Sequence, residues 1–364
     1  MGDVAKAADV SKNTVSLALR GSPRISETTR RRIIETAREL GYQLNPTVAQ
    51  LMAEMRQNRS PGFQATLALI NANEDPEAFS HHPTIPSYVA GCRARAVQLG
   101  YRLDEFWLHQ PEMPASRWLS MFRARNIRGL VIVGLMQQNR LPIRFAPVWQ
   151  EFPALVTGVR TREPALSHAC CDHHSLALIA FEKALELGYV RPALVLDGVI
   201  DQLIEGRFTA GFLAGQNWLG HHDCRTQPFF EVAAARDDRS VFSRWLEENR
   251  PDVIFTLYHE VRHWLEEAGM KVPDDIGLIQ YEWRADHATW AGMDQRNDLV
   301  GEAAVDMLVS MIHRHERGVP EHPRATLIGS HWVDGGTVKA AAVGKGNRSI
   351  PAMGSPSPRG DKSN

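Results

Sequence analysis

The residues near the amino terminus that are best suited to chemistry lie on a short helix predicted between residues 11 and 20. Val15, Ala18 and Leu19 recur at helical spacing and give this helix one buried stripe, and Ser11 is a good N-cap. The side chains left pointing outward are Lys12, Asn13, Ser16, Leu17 and Arg20. Cationic and amide groups on an exposed helix face are suited to meet phosphates and base edges, so DNA is the first partner to consider.

Two flanking segments predict the helices that hold this one in place. Val4, Ala5 and Ala8 form the apolar side of a first helix, and a tight turn leads from it into the second. Ser26 caps a third helix, which Gly41 ends. The predicted core stripe of this third helix consists of Ile33, Ile34, Ala37 and Leu40. The pattern therefore predicts three short helices with one shared core, in a helix-turn-helix arrangement.

The charge distribution distinguishes the amino-terminal segment from the rest of the chain. Residues 1–60 contain ten Lys or Arg against six Asp or Glu, a net charge of +4, whereas all 364 residues together carry a formal charge of −1. Because lysine and arginine displace the counterions held around phosphates, a basic segment on a slightly acidic body favours a polyanionic partner. A solvated helix face is the alternative for Arg30, Arg31 and Arg32 taken alone.

Several runs in this segment resemble the DNA-binding headpiece of the lactose-repressor (LacI/GalR) family, over about 55 residues. The runs are Asp-Val-Ala-Lys-Ala-Ala-Asp-Val-Ser-Lys-Asn-Thr-Val-Ser from residue 3, Ile-Ser-Glu-Thr-Thr-Arg from residue 25, Leu-Gly-Tyr from residue 40 and Asn-Pro from residue 45. The resemblance implies a headpiece at 1–45 whose second helix enters the major groove. Lys12, Asn13 and Ser16 would then lie near base edges, and Ser11 and Thr14 on phosphates, with Arg20 and Leu17 also at the DNA.

Two features depart from the family pattern. Leu17 stands where many members carry Arg, so this position can contact a thymine methyl group but cannot read a guanine. Family members also have several residues ahead of the first helix, including a capping Thr, whereas Met1-Gly2 runs straight into Asp3. Either the natural start lies upstream of Met1, or the first helix lacks its cap at a cost of about 1 kcal/mol.

Residues 46–62 are predicted to form a hinge helix followed by a linker. Asn45 is a cap, Pro46 fits the first helical position, and one face carries Val48, Leu51, Met52 and Met55. In the resembled family this helix folds on DNA, pairs with its mate in a homodimer and inserts a Leu into the minor groove. The resemblance assigns that insertion to Leu51 and implies a kinked central base step. An ordinary interdomain helix with Leu51 in a core is the alternative.

From residue 64 onward, short apolar runs alternate with amphipathic stretches. Strands are predicted at 66–71, 102–107, 129–134, 155–158, 192–196 and 253–258. This alternation is typical of parallel α/β units, and about 280 residues suit two such cores rather than one. The segment 63–339 resembles the periplasmic-binding-protein-like effector domain of the same family. That fold implies one lobe at 63–167 and 296–324, a second at 168–295 and 325–339, and crossings near 168–172, 293–295 and 326–331.

In that fold a small molecule, typically a carbohydrate, binds in the cleft between the lobes. Arg207 begins Arg-Phe-Thr-Ala-Gly-Phe, which resembles the family's Arg-x-x-Gly-[Phe/Tyr] helix start, with a surface ion pair as the alternative. Glu282 falls where the family usually has Asp after Gly-[Phe/Tyr], and Gln280 replaces that Gly. The other candidate effector contacts are Asn71, Asn73, Asp172, Tyr258, His259 and Gln295. Capping is the alternative for Asn71, Asn73 and Asp172.

A second chemical pattern, His259-Glu260-Val261-Arg262-His263, satisfies the H-E-x-x-H motif of zinc hydrolases. The motif directly follows a predicted strand, so it lacks the helical support of such sites, and no Gly and His follow at metzincin spacing. Cys170-Cys171-Asp172-His173-His174 is also rich in ligand types, but adjacent strand residues point to opposite faces and cannot all converge on one ion. We therefore expect no metal, no cofactor and no enzymatic activity.

The remaining features concern location and the chain termini. Four cysteines, with Cys92 and Cys224 scattered, form no disulfide framework, which fits a reducing cytoplasm. No apolar signal region and no membrane-length apolar run occurs, and residues 340–364 have the composition of a disordered tail.

Taken together, the residues and the resemblance predict a cytoplasmic, homodimeric, ligand-responsive regulator that binds a pseudo-palindromic double-stranded DNA operator, with repression as the family default. A solute-binding protein with a non-functional headpiece is the main alternative. A zinc hydrolase that uses His259, Glu260 and His263 is the remote one.

Overall fold

The computed structural model describes residues 2–19, 25–40, 64–110, 113–219 and 224–340. The predicted hinge and linker at 46–62, with Leu51, lie outside these residues, as do Arg20 and the predicted tail beyond residue 340. No helix within the described ranges combines the length and the apolar composition that a bilayer crossing requires.

The amino-terminal segment forms the three predicted helices: α1 (Gly2–Ala7), α2 (Lys12–Leu19) and α3 (Glu27–Glu39). Their shared core contains Val4, Ala5, Ala8, Val15, Ala18, Ile33 and Ala37. Ser26 Oγ accepts a 3.3 Å hydrogen bond from the Thr29 amide and caps α3, as predicted. The predicted core stripe was wrong at Ile34 and Leu40, which are 39% and 50% exposed. Only a narrow face of α3 meets the other two helices, and Ile33 and Ala37 fill it.

The part of the chain that we call lobe 1 is built on a parallel sheet. Its strands within the described ranges are β1 (Ala65–Asn71), β2 (Tyr101–Trp107), β3 (Ile127–Val133), β4 (Ala154–Thr157), β5 (Ser167–Cys171) and β10 (Ala325–Ile328). They are ordered β10-β5-β4-β3-β1-β2. Its helices are α4 (Ala78–His81), α5 (Ile85–Gln98), α6 (Ala115–Ala124), α7 (Ala146–Glu151) and α14 (Asn297–His313). Strand β1 is buried along its whole length, as expected for a parallel strand covered on both faces.

Lobe 2 is built on a second sheet. Its described strands are β6 (Pro192–Val195), β7 (Val253–Thr256), β8 (Gly277–Gln280), β9 (Ala291–Asp294) and β11 (His331–Val333), ordered β11-β9-β8-β7-β6, with β11 antiparallel to β9. Its helices are α8 (His173–Glu186), α9 (Gly198–Leu203), α10 (Arg207–Trp218), α11 (Val232–Asp237), α12 (Arg239–Asn249) and α13 (Glu260–Glu267). The prediction of a two-sheet α/β body is confirmed.

The chain passes between the lobes after β5, between β9 and α14, and between β10 and β11. Two lobe boundaries differ from those expected at 167/168 and 324/325. Strand β10 pairs with β5 from Ala325 opposite His168 to Ile328 opposite Cys171, so both strands belong to the sheet of lobe 1. The passages therefore lie after Cys171 and after Ile328, because each strand completes the other's hydrogen bonds up to those residues.

Helices α5 and α14 pack against each other in lobe 1 with their backbones in close approach. A β-carbon at Gly91 would lie 1.9 Å from the Asp298 carbonyl oxygen, and one at Gly301 would lie 2.2 Å from the Tyr88 carbonyl oxygen. Only glycine fits at these two positions, since a real β-carbon does not approach backbone atoms so closely. The close approach brings the amino-terminal ends of α5 and α14 together at the lobe boundary.

Candidate effector cleft and DNA-binding helix

Helix α2 of the headpiece carries most of the residues predicted to contact DNA. Lys12, Asn13, Ser16 and Leu17 lie in α2, and Val15 and Ala18 turn into the core. Ser11 Oγ accepts a 3.0 Å hydrogen bond from the Thr14 amide and lies 2.8 Å from Thr14 Oγ1. The Ser11 side chain therefore caps the helix, and its contact with a phosphate stays a prediction.

At the boundary between the lobes, the Glu282 carboxylate of lobe 2 meets two side chains of lobe 1. Thr84 Oγ1 donates to Glu282 Oε2 over 3.0 Å, and Asn297 Nδ2 donates to Glu282 Oε1 over 3.1 Å. Burial raises the pKa of Glu282, whereas the bonds from Thr84 and Asn297 and the charge of Arg284 oppose that rise. We call these three residues the cross-lobe clamp.

The clamp forms because each member stands at the end of an element. Thr84 precedes α5, and its hydroxyl makes no cap bond to that helix, so it is available to Glu282. Asn297 is the first residue of α14, and Glu282 follows β8 by two residues. Sequence reasoning singled out Glu282 but missed Thr84 and Asn297. Their polar, cap-type identities at the starts of α5 and α14 were the available signal.

Gln295 supports the same region from the second passage between the lobes. Its Nε2 donates to the Tyr281 carbonyl oxygen over 2.8 Å, so its amide holds the backbone beside Glu282. Gln280, which stands in place of the family's Gly, is fully buried, and neither its Nε2 nor its Oε1 has a hydrogen-bond partner among the described residues.

The sequence-based correspondence of Arg207 is off by one residue. Arg207 stands four positions before Gly211, whereas the family motif has three, so Phe208 occupies the motif's Arg position. Gly211 fixes this register, because a β-carbon there would lie 2.3 Å from the His174 carbonyl oxygen. Phe208 is buried and stacks on Tyr281 with ring centroids 5.0 Å apart.

The Arg207 guanidinium is engaged within the protein. It lies 3.5 Å from Glu205 Oε2 and donates to Cys170 Sγ over 3.6 Å. Burial is the main cause that lowers the pKa of His168 to about 4, and the charge of Arg207 is the second cause. The observed contacts of Arg207 thus correspond to the alternative of an ion pair rather than to a ligand contact.

Three other candidates make local hydrogen bonds that stabilise loops and caps. Asn71 Nδ2 donates to the carbonyl oxygens of Asp75 and Pro76, and Asn73 Nδ2 donates to that of Gly134. Asp172 caps α8 by accepting from the amide and hydroxyl of Ser175. These contacts correspond to the capping alternative; Asn73 also borders a surface depression with Glu74, His109 and Gln137.

Tyr258 and His259 follow β7 at the edge of lobe 2. Tyr258 Oη accepts a 3.1 Å bond from the Asp197 amide. The His259 ring stacks on His287 with centroids 3.8 Å apart and meets Trp290 edge-on at 4.8 Å. Burial, followed by the charges of His287 and Arg284, lowers the pKa of His259 to about 4.

The H-E-x-x-H pattern does not form a ligand set in this structure. Helix α13 begins at Glu260, whose carboxylate pairs with Arg236 at 2.7 Å, and His263 pairs with Glu267 at 3.0 Å on the exposed surface. His259 instead lies in the ring stack with His287. Within the described ranges, no group of three or more His, Cys, Asp or Glu residues is placed to hold a metal ion.

Family models match both parts of the chain. Residues 1–45 match the model of bacterial regulatory proteins of the lacI family, and residues 181–338 match that of the periplasmic binding protein-like domain. The HTH-type transcriptional repressor PurR of Klebsiella pneumoniae (strain 342) is 24% identical over 354 residues, which cover 88% of this chain and 94% of PurR. The NTD biosynthesis operon regulator NtdR of Bacillus subtilis (strain 168) is 23% identical, covering 77% of this chain and 81% of NtdR.

Solved structures show the same fold. The transcriptional regulator CelR in complex with cellobiose matches with a TM-score of 0.57 and 17% identity, covering 92% of this chain and 98% of CelR. The Lac repressor dimer bound to operator and the anti-inducer ONPF matches with a TM-score of 0.55 and 19% identity, covering 93% and 98%.

A helix-turn-helix headpiece followed by a two-lobed α/β domain defines a ligand-responsive, DNA-binding transcriptional regulator. The headpiece matches the lacI family of bacterial regulatory proteins over residues 1–45.

Proposed function

We propose that this protein is a cytoplasmic, homodimeric repressor that binds a pseudo-palindromic operator through α2 and through Leu51 of the hinge. Two-fold symmetry of the dimer requires two half-sites, each read by one headpiece. The contacts proposed at the DNA are those of Ser11, Lys12, Asn13, Thr14, Ser16, Leu17 and Arg20.

We place the effector, a carbohydrate, in the cleft around Glu282. The observation that carries this proposal is the cross-lobe clamp, in which one carboxylate of lobe 2 bonds to the helix ends of lobe 1 that Thr84 and Asn297 mark. A ligand that competes for Glu282 changes the relative stability of the open and closed arrangements of the lobes. It shifts DNA affinity only to the extent that it binds the two arrangements differently, typically by 1 to 3 kcal/mol.

Fluorescence anisotropy of the full chain against duplex from its own upstream region, over a salt series, tests the proposal. We expect tight, sequence-selective binding with a steep salt dependence. Leu51→Ala should weaken it, whereas Leu213→Ala, at an exposed position on α10, serves as the matched control and should not.

A panel of neutral and acidic saccharides added to the same assay then tests the cleft. Selective DNA binding that a saccharide shifts supports both parts of the proposal. Saccharide binding without any preference for the upstream duplex over random duplex would instead favour the solute-binding alternative with a non-functional headpiece.

A further inference from the structure

Three basic side chains lie around the lobe boundary beside the cross-lobe clamp. Arg284 follows Glu282 by two residues, and His82 precedes Thr84 by two residues, so the clamp brings their two loops together. The loop of Arg284 also meets His259 of lobe 2, because the His287 amide donates to the Arg284 carbonyl oxygen over 3.0 Å and the His287 ring lies 3.8 Å from the His259 ring, centroid to centroid. The charge of Arg284 contributes to lowering the pKa of both His82 and His259. The three side chains therefore form one cluster that spans the lobes.

One nitrogen of the Arg284 guanidinium, Nε, is buried and lacks a hydrogen-bond partner among the described residues. The Arg284 side chain is 23% exposed, and its nearest anionic partner is Asp286 Oδ1 at 3.6 Å, beyond hydrogen-bond distance. A guanidinium carries five donors, and leaving a buried charged donor without an acceptor costs more than leaving a neutral one. The partner that best suits the Arg284 Nε is therefore an anionic acceptor.

The two histidines also have ring nitrogens that can donate a hydrogen bond to an anion. His82 Nδ1 accepts from the amides of Thr84 and Ile85 at 3.1 and 3.3 Å, so the proton of its neutral ring lies on Nε2. His259 Nε2 is buried and has no partner among the residues that the structure describes. The ring of His259 is held in place by His287 and Trp290.

The acidic side chains near the cluster do not neutralise its positive charge. Both Glu282 oxygens already accept hydrogen bonds from Thr84 and Asn297, and burial raises the pKa of Glu282 toward its neutral form. The Asp286 side chain is 67% exposed, and Asp75, the acidic group that acts on His82, is also exposed. The Arg284 Nε and the His259 Nε2 are therefore left without an acidic partner within hydrogen-bond distance among the described residues.

We propose that Arg284, His82 and His259 form an anion-binding subsite at the lobe boundary, and that the effector is an acidic saccharide whose carboxylate or phosphate group binds there. This inference rests on the proposed function, because it places the anion in the effector cleft. The His82 Nε2–H can donate to an anion without a change of protonation, whereas a bound anion favours the protonated form of His259, so binding takes up a proton and tightens as the pH falls from 8 to 6. The charges of His287 and Arg284 lower the pKa of His259, and that of Asp286 raises it. The charge of Arg284 lowers the pKa of His82, and that of Asp75 raises it. The bound anion therefore has to offset the effect of Arg284 on the histidine pKa.

Isothermal titration calorimetry of the full chain with glucuronate, glucose 6-phosphate and glucose tests the subsite at pH 6, 7 and 8. We expect at least one acidic saccharide to bind more tightly than glucose, and its affinity to rise as the pH falls. Glucuronate and glucose 6-phosphate separate the carboxylate from the phosphate source. Arg284→Gln should weaken the acidic ligand about tenfold or more, since it removes a charge-assisted bond.

The matched control is Arg262→Gln, because Arg262 lies on α13 and its side chain forms a surface ion pair with Glu266 at 3.1 Å. His259→Gln should flatten the pH dependence of binding. Circular dichroism and thermal unfolding of each variant establish that it folds. If no saccharide binds, inorganic phosphate and sulfate replace them as probes, and binding that Arg284→Gln abolishes still supports the subsite.

Two results would overturn the inference: no binding of any acidic saccharide or inorganic anion, or equal anion binding by wild type and Arg284→Gln. Operator binding, measured in parallel, keeps the two proposals apart. Selective DNA binding without an anion response rejects the subsite alone, whereas loss of selective DNA binding rejects the proposed function.

Discussion

Thr84 and Glu282 are 198 residues apart in sequence, yet a 3.0 Å hydrogen bond from Thr84 Oγ1 to Glu282 Oε2 joins lobe 1 to lobe 2. The bond uses the hydroxyl of a residue at the start of α5 and a carboxylate just past β8. It is one of the two hydrogen bonds by which the cross-lobe clamp joins the lobes.

Replacing Thr84 with Val should favour the open cleft. The change keeps the shape of the side chain but leaves one oxygen of a buried carboxylate without its donor, at a cost of roughly 1 to 3 kcal/mol. We expect a larger radius of gyration by small-angle X-ray scattering in the absence of effector. Thr84→Ser retains the hydroxyl and is the control; identical scattering from Thr84→Val and Thr84→Ser would contradict the role of this bond.

Replacing Glu282 with Gln should remove a pH dependence. Because burial raises the pKa of Glu282 above its unfolded value, the folded state binds more protons than the unfolded state, and this group's contribution falls as the pH rises through the raised pKa. Gln can still accept from Asn297 and pair with Thr84. We expect the midpoint of thermal unfolding of Glu282→Gln, relative to wild type, to be higher at pH 8 than at pH 5. A constant difference between the two proteins would argue against a raised pKa.

The buried histidines predict a loss of stability in acid. Burial is the main cause that lowers the pKa of His173 to about 3 and that of His168 to about 4. Between these values and about 6.5 the unfolded chain binds more protons, so stability falls as the pH falls. His173→Phe can keep the edge contact with Phe208, whose ring centroid lies 4.9 Å away, and should reduce the loss of melting temperature between pH 7 and pH 5.

The control for this experiment is His263→Gln, because the His263 side chain is 69% exposed. Its melting temperature should follow the wild-type pH profile. A His173→Phe profile that also follows wild type would show that His173 does not couple folding to protons.

Two substitutions at Ser11 separate helix capping from phosphate contact. Ser11→Ala removes the acceptor of the Thr14 amide and should cost the headpiece about 1 kcal/mol of stability. Ser11→Asp retains an N-cap acceptor but adds a negative charge facing the proposed phosphate. Helicity and operator affinity are measured for both. We expect Ser11→Asp to fold as well as wild type and to bind DNA more weakly than Ser11→Ala; the reverse order of affinities would place Ser11 away from the phosphates.

Much of the fold could be predicted because its determinants are local in sequence. Strands β1 and β3 contain the uninterrupted apolar runs 67–70 and 130–133. In the headpiece, buried residues recur at helical spacing, as Val4 with Ala8 and Ile33 with Ala37 show. Ile34 was misassigned because periodicity identifies an apolar stripe but does not give the width of the surface that covers it.

The site was harder to predict because its contacts join distant segments. Glu282 was found because it stands where the resembled family usually has Asp, but nothing in the sequence pairs it with Thr84 or Asn297. Arg207 was misaligned by one residue, as its four-residue spacing to Gly211 shows, and the packing of Gly211 against His174 supports that register. Arg284 carries no motif; its importance emerges from the acceptor that it lacks in the folded chain.

The glycine contacts between α5 and α14 also predict how a genetic screen of this protein will look. Among random variants selected for lost regulation, substitutions at Gly91 and Gly301 should be as frequent as those in α2, because even Ala collides with a carbonyl group of the facing helix. Neither residue belongs to the clamp or to the headpiece. A mutational map alone would therefore mark a regulatory hot spot at a place whose only requirement is the absence of a side chain.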